Sequence, residues 1–353
     1  MSTATFRLEA QVNPLDWASL TTYLTDRGHS LVLADGPRQF SGGMGNWNYL
    51  VHLDGVPHVL RRPPAGPLPL GANDMAREFR ILSRLGAHFP LAPSAPFFCA
   101  DERVIGAPFL MIEYRDGLVL RDAMPDGMGE PNAAALQLAS KMVDVLVQLH
   151  ALDPRALDLQ DLGRPEGMVA RQARNWTLRA NDAWDGNMPN GLERIATWLE
   201  RPAPQPQRTS LLHSDYKLDN LILARDTLQP VGLIDWDMGT LGDPLLDLAT
   251  LLSYWTEEGD HPAMSALRQM PTAAPGFPKR VEVMALYAHA SGLSLEGFSY
   301  YRMLALFKLC VVFRQLYRRH RAAGFSGAPA AGFPALIDGL IDFSSHALCT
   351  EKF

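Results

Sequence analysis

The segment 212–248 limits what this chain can fold into more strongly than its composition does. It reads LHSDYKLDNLILARDTLQPVGLIDWDMGTLGDPLLDL, with four residues between Asp215 and Asn220 and with Asp235 at the end of a later apolar run. The apolar triplet after Asn220 and the apolar run before Asp235 predict a β-hairpin. Because a hairpin backbone is rigid, it would fix the amide oxygen of Asn220 relative to the carboxylate of Asp235.

These three polar residues suit the transfer of a phosphoryl group from ATP. A hydroxyl is a poor nucleophile, and a carboxylate such as that of Asp215 can orient it and take its proton as the new bond forms. Magnesium prefers a few hard oxygen ligands, which the side chains of Asn220 and Asp235 supply. Taken singly, Asp215 is typical of a loop aspartate, Asn220 of a turn and Asp235 of a helix cap. At this spacing, the three together predict a catalytic base and two magnesium ligands.

Hydrophobic periodicity in the rest of the sequence predicts an α+β, two-lobed fold like that of protein kinases. The N-terminal part favours a small antiparallel sheet, with a leading helix over 14–27, strands over 31–40, 48–53, 58–61 and 107–114, and one helix over 73–85 that Asn73 caps. The C-terminal part favours helices over 132–152, 166–184, 191–199, 245–255, 279–291, 300–320 and 333–348, with a loop over 322–334. We expect a nucleotide-binding lobe over residues 1–115, and a larger helical lobe with the catalytic loop and acceptor site over residues 116–353.

A glycine-rich turn and an arginine in the N-terminal part are candidates for contacts with the nucleotide. Ser41, Gly42 and Gly43 lie between two predicted strands, where glycine lets backbone amides approach phosphate oxygens closely. No Gly-Lys-Ser/Thr follows, so the turn is not a Walker A motif. Arg61 ends a strand and would hold the phosphates if Glu78, in the following helix, positioned it. The alternative is a solvated strand end and a surface glutamate.

Glu113 and Tyr114 end the apolar strand APFLMIEY, immediately before the composition becomes helical. At that place a backbone carbonyl and amide can bind the edge of an adenine ring. The alternative is an ordinary strand end.

Two further residues are predicted to support the catalytic loop. His213 follows an apolar pair, which favours a buried imidazole that bonds to main chain and holds the loop. Asp247 lies in the apolar stretch LLDL, where an unpaired carboxylate would cost several kcal/mol. We therefore expect Asp247 to accept hydrogen bonds from backbone amides of the catalytic loop.

Composition excludes some classes of protein. The net charge of −6 argues against a general nucleic-acid or membrane-surface binder, and no apolar run approaches the length of about 18 residues that a membrane span needs. The N-terminus has no apolar run behind a basic start, so no signal peptide is expected. Cys99, Cys310 and Cys349 are far apart in the sequence and have no metal-ligand spacing. These features predict a cytoplasmic protein.

Several longer segments, taken in order, are similar to those of one protein family. The chain resembles the aminoglycoside phosphotransferase and choline kinase superfamily, and more closely its subgroup of stand-alone bacterial proteins and kinase domains fused to acyl-CoA dehydrogenases. The resemblance implies that Asp215 is the catalytic base, that Asn220 and Asp235 hold magnesium, and that Arg61, with Glu78 as its partner, takes the place of a nucleotide-binding lysine. The matching segments are FSGGMGNWNYL, HVLRRPPAGPLPLGANDMAREFRIL, VIGAPFLMIEYRDG, LGRPEGMVARQARNW, LLHSDYKLDNLIL, LIDWDMGTLGDPLLDLATLL and ALFKL.

Two residues depart from the pattern of that subgroup. Ser214 replaces the usual glycine between His213 and Asp215, and serine strains the loop if the glycine normally takes a positive φ. Asp237 stands where glutamate is more common. Neither change removes a functional oxygen.

The phosphoryl acceptor is left open among several small molecules that carry a hydroxyl. The resemblance implies a hydroxyacyl-CoA or a related hydroxy acid. An aminoglycoside needs an acidic pocket, which the many arginines of the C-terminal part disfavour. A choline-type acceptor needs aromatic residues, which Trp236, Tyr254 and Trp255 would supply. A protein of a different class, a pseudokinase that binds nucleotide without turnover, is suggested by Ser214 and Arg61.

Overall fold

The computed structural model describes residues 6–33, 36, 38–41, 45–66, 73–125, 127, 130–322 and 328–350, with side chains in the last of these ranges from residue 332 onward. The chain divides into two units. The first contains the described residues of Met1–Val119, Arg155–Leu159 and Asn220–Gly239; the second contains those of Leu120–Pro154, Gln160–Asp219 and Thr240–Phe353. Both units are discontinuous in sequence. The simple division between residues 115 and 116 stays a prediction.

Strands and helices alternate early in the chain, and helices dominate later. The strands are β1 (Leu31–Val32), β2 (Arg38–Gln39), β3 (Trp47–Leu53), β4 (Val56–Arg62), β5 (Phe97–Cys99), β6 (Phe109–Glu113), β7 (Ser210–Leu212), β8 (Leu221–Leu223), β9 (Pro230–Leu233) and β10 (Thr240–Gly242). The helices are α1 (Trp17–Thr25), α2 (Met75–Leu85), α3 (Pro131–Ala151), α4 (Met168–Ala183), α5 (Asn190–Trp198), α6 (Leu245–Tyr254), α7 (Pro262–Ala266), α8 (Arg280–Ser291), α9 (Phe298–Ala322) and α10 (Ala328–Thr350).

The first unit is built on an antiparallel sheet with the strand order β1-β3-β4-β6-β5, and β2 also pairs with β3. The tight turn between β3 and β4 holds Asp54 and Gly55 at φ 52° and 80°, the left-handed geometry that matches the twist of a hairpin. Leu20 and Leu24 of α1 pack in a core with sheet residues that include Leu60. The predicted small antiparallel sheet is therefore confirmed.

Two local features of the first unit position residues of interest. The predicted hairpin forms from β8 and β9, with an irregularity between Ile222 and Leu223. Helix α2 is capped by Asp74, whose carboxylate accepts from the amide of Arg77 at 3.0 Å. The prediction that Asn73 is the cap is wrong, because Asn73 has a φ of 59° and donates its side-chain amide to Asn46.

The second unit is mainly helical. Strands β7 and β10 pair with each other and add a small sheet. None of the helices that the structure describes is long and apolar enough to cross a membrane. The α+β, protein-kinase-like fold that the sequence predicts is confirmed.

The structure differs from the sequence prediction mainly in short elements. Strands β5, β7 and β10 and helix α7 were not predicted, because three to five residues carry too little periodicity. The predicted loop over 322–334 is wrong from Ala328 onward, where α10 begins. Alanine favours helix, and Pro329 falls in the first turn, where proline is tolerated.

The core position of Leu60 generates a test of the fold. Leu60 is fully buried on β4, whereas Val56 on the same strand is 53% exposed. Leu60→Ala should lower the free energy of unfolding by about 2–5 kcal/mol, because it removes buried methyl groups and leaves a cavity. Val56→Ala should change it by less than about 0.5 kcal/mol. Urea unfolding of both variants measures this, and equal effects would contradict the assigned burial.

Candidate functional site

The predicted functional residues belong to two groups, one in each unit. Arg61, Glu78, Asn220 and Asp235 lie in the first unit, together with the candidate adenine contacts. Asp215 lies in the second unit, in the loop that follows β7.

Arg61 is a buried cation at the centre of the first group. Its Nε donates to a carboxylate oxygen of Glu78 at 2.7 Å, and its Nη2 pairs with Asp235. Its Nη1 donates to the amide oxygen of Asn48 at 3.3 Å. Burial opposes the charge, but Asp235 and Glu78 outweigh it and hold the pKa of Arg61 above its ordinary value. Arg61 therefore stays charged, and the predicted pairing with Glu78 is present.

Asp235 follows β9 in the left-handed region, with a φ of 71°. Aspartate tolerates this conformation better than most residues do. The amide of Ile234 donates to the backbone carbonyl of Asn220 at 3.0 Å, and the amide of Trp236 donates to Glu78 at 3.2 Å. The side chain of Asp235 is 34% exposed. The residues on both sides of Asp235 are thus held by hydrogen bonds, and its partly exposed carboxylate remains within reach of a ligand.

Three carboxylates, those of Glu78, Asp235 and Asp237, lie near the guanidinium of Arg61. Burial, and then the charge of Asp235, raise the pKa of Asp237 to about 8. Asn46 donates to Asp237 at 3.2 Å and opposes the shift. The side chains of Asn220 and Asp235, whose backbones are tied together through the bond from Ile234 to Asn220, supply hard oxygen ligands of the kind that Mg²⁺ prefers. The sequence singled out Asp237 as a departure from the subgroup, not as a site residue.

The other candidate nucleotide contacts have partners within the first unit. Glu113 accepts from the amide of Ser94 at 3.1 Å and pairs with Arg115 at 2.8 Å. The amide of Tyr114 donates to the carbonyl of Pro57 at 3.3 Å. Their contact with adenine stays a prediction.

Of the glycine-rich turn, the structure describes Ser41. Ser41 lies in a bend after a bridge at Phe40. Gly42 and Gly43 lie outside the described residues, so their proposed contact with phosphate stays a prediction.

The loop before the candidate base is held by a buried carboxylate. Asp247, on α6, accepts from the amides of His213 and Ser214, each at 2.7 Å. His213 is fully buried, and its Nδ1 accepts from the amide of Asp215 at 3.3 Å. The predictions that Asp247 bonds to loop amides and that His213 is a buried support of the loop are confirmed.

Further polar groups help to keep the carboxylate of Asp247 ionised. Its carboxylate also lies 3.3 Å from Nε2 of His150, and Nδ1 of His150 is 2.7 Å from the hydroxyl of Tyr287. Burial raises the pKa of Asp247, but His150, His213 and the loop amides outweigh burial and lower it below its ordinary value. The loop therefore rests on an ionised carboxylate.

Lys217 contacts the candidate base, and the sequence did not single it out. Its Nζ lies 2.5 Å from a carboxylate oxygen of Asp215 and 3.4 Å from one of Asp219. Burial opposes its charge, but Asp215 and Asp219 raise the pKa of Lys217 above its ordinary value. Its place between the fully buried Tyr216 and Leu218 was the available signal, because a lysine there needs a carboxylate partner.

The fold and the site together define the class of this protein. An antiparallel sheet in one unit, helices in the other and an aspartate-bearing loop held by a buried carboxylate are features of a protein-kinase-like fold. A model of the phosphotransferase enzyme family, APH, matches residues 37–280, which is more than half of the chain. The chain belongs to this family.

Individual relatives and solved structures are similar to this chain over most of its length. Acyl-CoA dehydrogenase family member 10 of Mus musculus is 29% identical over 89% of this chain and 29% of its own length. A crystal structure from Ralstonia eutropha, of a protein provisionally classed as an aminoglycoside phosphotransferase, is 23% identical, with a TM-score of 0.74 over 94% of this chain and 98% of that one. The GDP and kanamycin complex of the aminoglycoside phosphotransferase APH(2") is 14% identical, with a TM-score of 0.60 over 95% and 98%.

The chain spans only 29% to 42% of the length of the acyl-CoA dehydrogenase family members that it matches. These relatives therefore contain long regions with no counterpart in this sequence.

The carboxylate under the loop generates a test with a defined pH dependence. Asp247→Asn should lower the free energy of unfolding at pH 7 by about 1–3 kcal/mol, because an amide cannot accept both loop N–H groups. A carboxyl with a lowered folded-state pKa contributes stability above its ordinary value of 3.8, and that contribution is lost as the pH falls further. The difference between the two proteins should therefore shrink below pH 4.

The exposed Asp144 on α3 provides a matched control for this test. Asp144→Asn should change the free energy of unfolding by less than about 0.5 kcal/mol, because this side chain is exposed. Denaturant unfolding at a series of pH values measures both variants. A cost for Asp247→Asn that does not depend on pH would contradict the role of the ionised carboxylate.

Proposed function

We propose that this protein is a magnesium-dependent kinase that transfers the γ-phosphoryl group of ATP to a hydroxyl of a small molecule. The observation that carries the proposal is the buried contact of Arg61 with both Glu78 and Asp235. This arrangement keeps a charged guanidinium and an accessible carboxylate together, as binding of a phosphate chain with its metal requires.

Each side chain has a definite part in the proposed reaction. The carboxylate of Asp215 orients the acceptor hydroxyl and takes its proton as the oxygen bonds to the γ-phosphorus. The bond from that phosphorus to the bridging oxygen breaks, and ADP leaves with the electron pair. Arg61 orients the phosphates, and Asn220 and Asp235 hold magnesium. Bound magnesium would neutralise the phosphate charge. Most of the rate enhancement then comes from positioning and electrostatics.

A hydroxyacyl-CoA or related hydroxy acid is our proposed acceptor. The similarity to acyl-CoA dehydrogenase family member 10 supports it, because a kinase joined to a dehydrogenase of acyl-CoA would share its substrate class. An aminoglycoside is the second candidate, supported by the structural neighbour that binds kanamycin. The GDP in that neighbour makes GTP the alternative phosphoryl donor.

Two other readings receive less support. A choline-type acceptor would need accessible aromatic rings, but Trp236 and Trp255 are fully buried. Tyr254 is partly exposed, and its ring already has the ammonium of Lys217 5.4 Å from its centroid. A pseudokinase would not need the Asp215, Asn220 and Asp235 set.

A reducing compartment such as the cytoplasm fits the three cysteines, all of which are free thiols.

Replacing the proposed base tests the reaction. Asp215→Asn should lower kcat for the best acceptor by about 10²–10⁴-fold, because an amide cannot accept the hydroxyl proton. Magnesium-dependent ADP release is measured from ATP and from GTP with hydroxyacyl-CoAs, hydroxy acids, amino alcohols and aminoglycosides. Asp226→Asn, in the exposed turn of the hairpin, is the matched control and should retain wild-type turnover.

The outcomes of this experiment separate the candidates. Stimulation by one acceptor class identifies the substrate, and its loss in Asp215→Asn supports the assigned base. Nucleotide binding without turnover of any acceptor would favour the pseudokinase. Full activity of Asp215→Asn would refute the catalytic assignment.

Replacing the proposed metal ligand is a separate test. Asp235→Asn should lower kcat by about 10²–10³-fold and raise the magnesium concentration needed for half-maximal rate, because a neutral amide binds the ion weakly. A magnesium titration of the initial rate measures both effects, again with Asp226→Asn as control. Unchanged magnesium dependence would remove Asp235 from the metal site.

A further inference from the structure

Lys308 is a half-buried lysine on α9 whose side chain reaches the catalytic loop. Its Nζ donates to the backbone carbonyl of Ser214 at 2.9 Å. Lys308 and Ser214 are 94 residues apart in the sequence, and both belong to the second unit. The contact joins a long helix directly to the residue before the candidate base, Asp215.

Ser214 is the place in the loop where such a contact has most effect. Its φ of 67° is left-handed, a region that disfavours serine and suits glycine. The predicted strain at this residue is therefore present, and the surroundings must hold the conformation. Asp247 bonds to the amide of Ser214, on the N-terminal side of the residue. Lys308 bonds to its carbonyl, on the C-terminal side.

The peptide unit that joins Ser214 to Asp215 is consequently held at both of its polar groups. Its carbonyl accepts from Lys308, and its N–H donates to Nδ1 of His213 at 3.3 Å. Rotation of this unit would break both bonds and redirect the backbone that carries the Asp215 side chain. Without Lys308 the carbonyl would lose this charged donor, and the length of the bond to His213 makes that bond a weak restraint on the rotation.

The positive charge of Lys308 strengthens its hydrogen bond to the carbonyl of Ser214. A charged donor forms a stronger hydrogen bond to a carbonyl than a neutral donor does. Burial, together with Lys217 and Arg179, lowers the pKa of Lys308, while Asp215 and Asp247 oppose the shift. The nearby carboxylates thus help to keep the ammonium charged in a partly buried place.

We propose that Lys308 is a positioning residue that holds the peptide between Ser214 and Asp215 in the orientation that the base requires. It stabilises the left-handed backbone conformation of Ser214, which is strained for serine and which glycine would adopt without strain. The proposal rests on the proposed kinase function for its catalytic consequence, but its structural part can be measured without any turnover.

A double-mutant cycle between Lys308 and Ser214 tests the proposal. Lys308→Met keeps a similar length but removes the donor, and should lower kcat by about 10–100-fold with little change in the KM for nucleotide or acceptor. Ser214→Gly alone should change kcat by less than about threefold. In the double variant, glycine no longer needs the support, so about tenfold of the lost rate should return. Lys141→Met, which removes the same charge from α3, is the control and should keep wild-type kcat.

Amide hydrogen exchange of the free protein supplies the readout that needs no substrate. The peptide that contains His213, Ser214 and Asp215 should exchange faster in Lys308→Met, and Ser214→Gly should restore much of its protection. If no acceptor is ever turned over, the kinase proposal fails while this result can still stand. Unchanged kcat and exchange in Lys308→Met would overturn the inference. So would a raised acceptor KM at constant kcat, which would make Lys308 a substrate contact, or strictly additive effects in the double variant.

Discussion

The first unit depends on one buried ionic contact, that of Arg61 with Glu78 and Asp235. It joins strand β4, helix α2 and the segment after β9, three parts of the chain that are distant in sequence. Removing either carboxylate would leave a buried guanidinium undercompensated, which is costly in an apolar surrounding. Asp237 is also buried nearby, and burial followed by the charge of Asp235 raises its pKa to about 8. The partly exposed carboxylate of Asp235 would offer oxygen ligands to a metal ion and to the phosphates that accompany it.

In the second unit, too, charged side chains hold a part of the proposed site, here the loop that carries Asp215. Ser214, like Asp235, is a residue other than glycine with a positive φ. A positive φ is unfavourable for both residues. At Asp235, the guanidinium of Arg61 pairs with the carboxylate, and at Ser214, charged side chains bond to the backbone. Asp247 and Lys308 hold the two sides of Ser214. Strain of this kind persists only where neighbouring contacts over-determine the backbone, and it is common at functional sites. Ser214 and Asp235 are therefore positioned by the residues that they contact rather than by their own backbone preferences.

Much of the fold followed from patterns that are local in the sequence. The long helices were predicted because their apolar residues recur at helical spacing. The small sheet and the hairpin of β8 and β9 were predicted from short apolar runs separated by turn residues. The carboxylate of Asp247 was predicted to bond to loop amides, since an unpaired charge in an apolar helix would be too costly. The cap of α2 was misplaced by one residue, from Asp74 to Asn73, because both are good capping residues and only the backbone geometry distinguishes them. Lys217 and Lys308 were not singled out as site residues, because a lone lysine has no periodic signature.

By itself, the sequence determined the order of the longer elements, the family-like motifs and the residue types available for phosphoryl transfer, because these depend on composition and short spacing. The tertiary structure decided which charges meet. Arg61 and Asp235 are separated by 174 residues and Lys308 and Ser214 by 94, so no local pattern specifies either contact. Packing brings those residues together, and only there does burial make each charge depend on its partner.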